Sequence, residues 1–132
     1  MKVMLDTNIC IYIIRQKPEA VLARFRAFRV GDIGISTITL AELQYGAMKS
    51  ARPKQNRESL KDFIAPLDVA AFDNGASEAY GEIRVALEKS GRPIGAMDLL
   101  IAAHALSLDA RLATNNEREF KRVRGLRVEN WI

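Results

Sequence analysis

Apolar positions along this chain follow two alternating rhythms. Short unbroken apolar runs mark buried strands, and longer stretches with apolar residues every three or four positions mark amphipathic helices. Lys2 to Leu5 reads as a strand that ends abruptly at Asp6-Thr7-Asn8, three residue types that cap helices. Ile9 with Ile13, and Cys10 with Ile14, start a helix there. Pro18 opens a second helix, with Val21, Leu22 and Phe25 facing inward. Ile33 to Ser36 predicts a second strand, and Thr37 to Met48 a helix that buries Ile38, Leu40, Leu43 and Ala47. Arg52-Pro53 breaks it, and a further helix runs to about Ile64. Pro66 to Ala70 reads as a third strand, and Asp73 caps a long helix through Glu88. Ser90-Gly91-Arg92-Pro93 is a loop. From Asp98 to Leu108 only His104 and Ser107 interrupt an apolar run, so this helix is expected to be buried on most sides. Arg111 to Ala113 predicts a fourth strand and Arg127-Val128 a fifth. Strands alternating with helices predict a three-layer α/β/α fold around a mainly parallel sheet of four to five strands. Residues 1–132 suit a single domain.

Charge adds a hint about partners. Twenty Lys and Arg against 16 Asp and Glu leave a net +4. A mildly basic chain suits a polyanion such as nucleic acid, and equally a protein with an acidic segment. No apolar run approaches the ~20 residues that span a bilayer. Only a short apolar run separates Lys2 from Asp6, unlike a signal peptide, so the cytoplasm is the expected compartment. The single cysteine, Cys10, forms no internal disulfide and reads as a small core residue.

In open parallel sheets, ligands bind at the carboxyl ends of the strands. Asp6 ends strand one, Glu42 lies in the first turns after strand two, and Asp98 opens the buried helix. Thr114, Asn115 and Asn116 end strand four, with Glu119 one turn further on. The predicted topology brings these residues, remote along the chain, to one edge. Crowded carboxylates repel until one takes a proton or a cation sits between them. Hard oxygen donors favour Mg²⁺ or Mn²⁺ over zinc. Such an ion lowers the pKa of bound water and stabilises charge on a scissile phosphate, which suits phosphodiester hydrolysis. Phosphotransfer and dehalogenase-like chemistry stay open. Taken singly, Asp6 and Asp98 also read as helix caps, and Glu42 as an exposed helix residue. Thr7 either caps a helix or orients a ligand. Gly46 reads as a site of close helix packing, and Gly95 as loosening the loop before Asp98. His104 reads as a packing histidine, which leaves no credible Ser/His/Asp triad. Trp131 is expected to pack the final strand. Two basic sets flank the acidic edge and could hold phosphates: Lys49, Arg52, Lys54 and Arg57, and then Arg118, Lys121, Arg122, Arg124 and Arg127.

At these residues the sequence resembles a known family. MLDTNICIYII from Met4, STITLAELQYGAMKS from Ser36, IGAMDLLIAAHAL from Ile94 and LATNNEREFKRV from Leu112 are similar to segments of PIN-domain ribonucleases. The likeness is to the VapC toxin type of bacterial toxin–antitoxin systems, and it runs in order over nearly the whole chain. It implies an α/β/α PIN fold and a Mg²⁺- or Mn²⁺-dependent endoribonuclease, with structured RNA such as tRNA as substrate. It further implies a homodimer neutralised by a VapB-type antitoxin whose C-terminal segment covers the acidic site. By position, Asp6, Glu42 and Asp98 match the family's first three acids. The fourth departs from the common pattern: many relatives have Asp two residues after the strand-end Thr, and here that place is Asn116. Glu119 could supply a carboxylate from the following turn, so Asn116 and Glu119 are carried as supporting metal residues. A PIN nuclease with a housekeeping role, a non-catalytic RNA- or protein-binding module and a receiver-like phosphotransfer domain are the competing readings. The last expects a lysine at a strand end facing the acids, and none is placed there.

Overall fold

The computed structural model describes all 132 residues. Five parallel strands form one sheet in the order β3-β2-β1-β4-β5, at the upper end of the expected count. In chain order these are β1 (Val3–Leu5), β2 (Ile33–Ser36), β3 (Asp68–Ala70), β4 (Arg111–Thr114) and β5 (Val128–Asn130). Seven helices connect them: α1 (Thr7–Ile14), α2 (Glu19–Arg26), α3 (Thr37–Lys49), α4 (Pro53–Ile64), α5 (Asn74–Lys89), α6 (Ala96–Ser107) and α7 (Glu117–Phe120).

The alternation of side chains along β1 sorts the core into two layers. Val3 and Leu5 face one side and join Ile9, Cys10, Val21, Leu22, Leu43 and Leu60 of α1 to α4. Met4 faces the other side, against Ile83 and Leu87 of α5 and the apolar residues of α6. The α/β/α layering is therefore already written into three consecutive residues. Cys10 is fully buried in the first layer, as expected of a core thiol. α6 is covered almost all round, with Leu99 and Ile101 to Ala105 buried.

Gly34 is forced by strand packing. It pairs with Met4 on one side and Asp68 on the other, and a Cβ there would collide with the Asp68 carbonyl and the Met1 side chain. β1 starts one residue later than expected, at Val3, β4 ends one residue later, at Thr114, and the other two shifts have clear causes. β3 starts at Asp68 and not at Pro66, because proline has no N–H for a ladder and the Leu67 N–H closes a turn onto Ile64. β5 runs on to Asn130, since its partners continue to Thr114 after its apolar residues have ended. Trp131, next along, is buried and stacks on Phe28 at 5.7 Å, so it does pack the last strand.

Candidate active site

All the candidate side chains hang from the carboxyl end of the sheet's middle. β1 delivers Asp6. Its Oδ1 accepts the Ile9 N–H at 2.9 Å, and its own N–H donates to the Ala113 carbonyl at 3.0 Å. Asp6 is thus the cap of α1, which makes Thr7 and Asn8 the first helical residues and not caps themselves. The carboxylate is only 4% exposed. Burial pushes it above the ordinary aspartate range, and the charge of Glu42 adds to this; hydrogen bonds from Thr114 and Ile9 oppose it.

β2 ends at Ser36, whose hydroxyl accepts the Ile38 N–H at 3.0 Å and so starts α3. Glu42 follows a turn and a half later. Thr7 holds it: the threonine hydroxyl donates to Glu42 Oε1 at 2.6 Å. Thr7 is thus not the helix cap, and its hydroxyl is engaged by Glu42.

Asp98 does not open its helix. Gly95 takes the N-cap position, its carbonyl accepting the Leu99 N–H at 2.9 Å, and Asp98 sits third in the first turn of α6. Its side chain is half-buried. Its carboxyl is raised to about 6, first by burial, then by Glu119, and further by Asp6 and Glu42. Glu119 is held the other way. Its Oε1 accepts the Gly95 N–H at 2.9 Å, and its Oε2 accepts the Asn116 side-chain amide at 2.8 Å. The Gly95 bond above all keeps Glu119 below the usual glutamate range. Asp98 and Glu119 also hydrogen-bond each other, so the proton of this pair resides on Asp98. Gly95 is therefore a donor to the acidic site as well as a loop element. A Cβ there would stand 3.7 Å from both carboxylates.

The structure thus brings Asp6, Glu42, Asp98, Asn116 and Glu119 to one edge. No three Asp, Glu, His or Cys side chains close tightly enough in this arrangement to grip an ion unaided. The donor set still suits a hard divalent cation. Its members are oxygens, Cys10 is sealed in the core, and His104 is occupied elsewhere. The raised Asp98 carboxyl marks crowded negative charge that Arg122, acting on Glu119, offsets only in part.

Two residues that the sequence left undervalued lie around this edge, and a third stands one helical turn from Glu42. Thr114 Oγ1 accepts the Asn116 N–H at 2.9 Å while its hydroxyl serves Asp6. Gly95 contributes a backbone N–H, which no side-chain pattern can reveal. Tyr45, on α3 one turn beyond Glu42, is 66% exposed.

Two expectations about neighbours resolve differently. His104 is the packing histidine expected: it is fully buried, its Nδ1 shares a 2.8 Å hydrogen bond with Ser36, and burial lowers its pKa. Gly46 is not a close-packing glycine. A Cβ there would meet nothing within 4 Å, and the residue lines an open groove of about 410 Å³ between α1, α3 and α4 that begins at Glu42.

A PIN domain model matches residues 3–126. The chain is 47% identical to the tRNA(fMet)-specific endonuclease VapC of Shigella flexneri, over 99% of this chain and 98% of that protein. It is 44% identical to ribonuclease VapC2 of Haemophilus influenzae strain Rd, over 100% and 99% of the two chains. Among solved structures it superposes on DNA-bound VapBC of Salmonella typhimurium with a TM-score of 0.94, at 44% identity and covering 100% of this chain and 99% of that one.

Proposed function

The chain belongs to the PIN-domain family and to its VapC ribonucleases, and from that premise we propose how its acidic edge hydrolyses RNA. It is an endoribonuclease toxin held in check by a VapB-type antitoxin. The observation that carries the chemical reading is the convergence of Asp6, Glu42, Asp98 and Glu119 on one edge of the sheet, where burial and the three neighbouring acids raise the Asp98 carboxyl to about 6. A site with that much unbalanced charge is built to receive a cation.

Nucleases of this family depend on a metal. In our reading the ion is Mg²⁺, with Mn²⁺ able to replace it, and Asp6, Asp98 and Glu42 hold it. Bound there, a divalent cation stabilises charge on the phosphate and acidifies water. The chain's own residues do the rest. Asp6, fixed by its cap and its bond to β4, supplies a rigid oxygen. Thr7 keeps Glu42 turned toward the edge. Asp98 must give up its proton before it can act as a charged donor, and Glu119 beside it, kept anionic chiefly by the Gly95 N–H, is the hydrogen-bond acceptor of the pair. Asn116 supplies an amide in place of a fourth carboxylate and steadies Glu119. We further read tRNA as the substrate, since the Shigella relative bears that specificity in its name. A homodimer acting in the cytoplasm completes the reading; no helix here is long and apolar enough to cross a membrane.

The test is cleavage of a purified tRNA pool by the antitoxin-free chain. Discrete fragments with Mg²⁺ or Mn²⁺, none with chelator, and none from Asp98→Asn support the reading. Intact tRNA with either metal, or cleavage that survives Asp98→Asn, overturns it.

A further inference from the structure

The two basic sets of the sequence differ in the structure. In the second, Lys121 is paired with Glu117 at 3.5 Å, Arg122 donates to the Pro93 carbonyl at 3.0 Å and Arg127 is paired with Asp109 at 3.2 Å, which leaves Arg118 and Arg124 exposed and without an ion pair. In the first, Lys49, Arg52, Lys54 and Arg57 are all exposed and none forms an ion pair, and the same holds for Lys61. Lys54, Arg57 and Lys61 fall at i, i+3 and i+7 on α4, hence on one stripe. They line a cleft of about 750 Å³ between α3 and α4, with Gln44 and Met48 opposite and Glu58 as its one acid.

The exposed face of α3 joins this cleft to the acidic edge. At 100° per residue, positions 44, 48, 45, 49 and 42 succeed one another around the helix. That path starts in the cleft, crosses Met48 and Tyr45, passes Lys49 and ends at Glu42. Tyr45 shows two-thirds of its surface to solvent, and the Lys49 ammonium lies 5.3 Å from its ring centre. This large ring, one helical turn from Glu42 and with the Lys49 ammonium against it, packs on nothing else within the chain. Rings so placed stack unpaired bases, while unpaired cations track the backbone.

We propose that this face is the entry track for single-stranded RNA: Tyr45 stacks a base close to the cleaved phosphate, and Lys54, Arg57 and Lys61 hold backbone phosphates in the α3–α4 cleft. The proposal rests on the ribonuclease reading above and specifies the form of RNA that the site accepts. An acidic protein segment would suit the cations too, but it gives the exposed ring no base to stack.

Binding is measured on the full-length chain carrying Asp98→Asn, so that cleavage does not intrude. The probes are a fluorescent single-stranded oligoribonucleotide of about a dozen nucleotides and its duplex. Tyr45→Leu should weaken single-strand binding about tenfold, and Tyr45→Phe should restore it. The duplex should bind less tightly and be indifferent to Tyr45. Joint replacement of Lys54, Arg57 and Lys61 by Gln should flatten the salt dependence by about two units of logarithmic slope. The inference is overturned if Tyr45→Leu binds like the parent, if it alters only the chain's oligomeric mass, or if the Gln variant loses affinity for an acidic peptide but not for RNA. Cleavage by the otherwise unchanged chain, assayed separately, reports on the ribonuclease reading; active enzyme with Tyr45-independent binding sinks this inference alone.

Discussion

The acidic edge has two halves that are built on different principles. The Asp6 half is held in place by donors: the Ile9 N–H and the Thr114 hydroxyl serve Asp6, and the Thr7 hydroxyl serves Glu42. Every group there is fixed before any ligand arrives. The Asp98 half is held by a compromise, with two carboxyls sharing a proton and the Asn116 amide bonded to one of them. One half is a rigid template; the other is a charge store that a cation or a proton must settle. The contrast suggests that the first half sets position and the second sets when the site is active.

The largest effect should come from removing charge on either side. Asp6→Asn and Asp98→Asn should each lower RNA cleavage on the order of a hundredfold or more, beyond the roughly 10–100-fold typical of outer-shell partners of a metal. Thermal melting should then separate the halves. Asp6→Ala deletes a helix cap and should cost about 1 kcal/mol. Asp98→Asn relieves repulsion and should melt no lower than the parent. Equal losses of stability would erase the distinction.

The next effect is pH. Asp98 ionises near 6 in the folded chain, against 3.8 ordinarily. Cleavage should therefore fall about tenfold per unit as pH drops below about 6. Stability has the opposite sign. The folded chain holds this proton more tightly than the unfolded one, so without metal its stability declines as pH rises from 3.8 to about 6. Melting temperatures of chelator-treated protein across that window test the sign, and added Mg²⁺ at neutral pH should restore part of the loss.

A smaller effect should follow from Thr7→Val, which keeps the shape but removes the 2.6 Å bond to Glu42. A charge-assisted bond of this kind contributes about 1.5 kcal/mol, so cleavage should fall about tenfold. The smallest effect is expected from Asn116→Asp. It adds a charge beside Glu119 and removes that residue's amide donor. The metal-free protein should melt a few degrees lower, and the rise in melting temperature on adding Mg²⁺ should grow. An unchanged response to Mg²⁺ would mean that residue 116 lies outside the ion's reach.

Much of this was legible in the sequence because it depends on pattern. The three layers follow from alternating apolar runs, and the edge follows from acids placed at strand ends. What escaped depends on backbone geometry and on partners. Asp98 reads as a helix opener because Gly95 shows no capping side chain. The Gly95 N–H that holds Glu119 carries no letter of its own. Gly46 suggests tight packing by its type alone, whereas only coordinates reveal the open groove beside it. Both basic sets look alike in sequence; that Arg122 and Arg127 are engaged depends on the Pro93 carbonyl and Asp109 arriving from elsewhere in the fold.

β1 lies at the centre of the sheet, between β2 and β4, though it is made first. A nascent chain that has emerged through α5 already carries Asp6 and Glu42, but β1 still lacks its β4 neighbour and Met4 lacks the α6 residues that cover it. Asp98, Thr114, Asn116 and Glu119 come later still. The order of synthesis therefore withholds half of the proposed cutting edge, from Asp98 to Glu119, until the last third of the chain has been made.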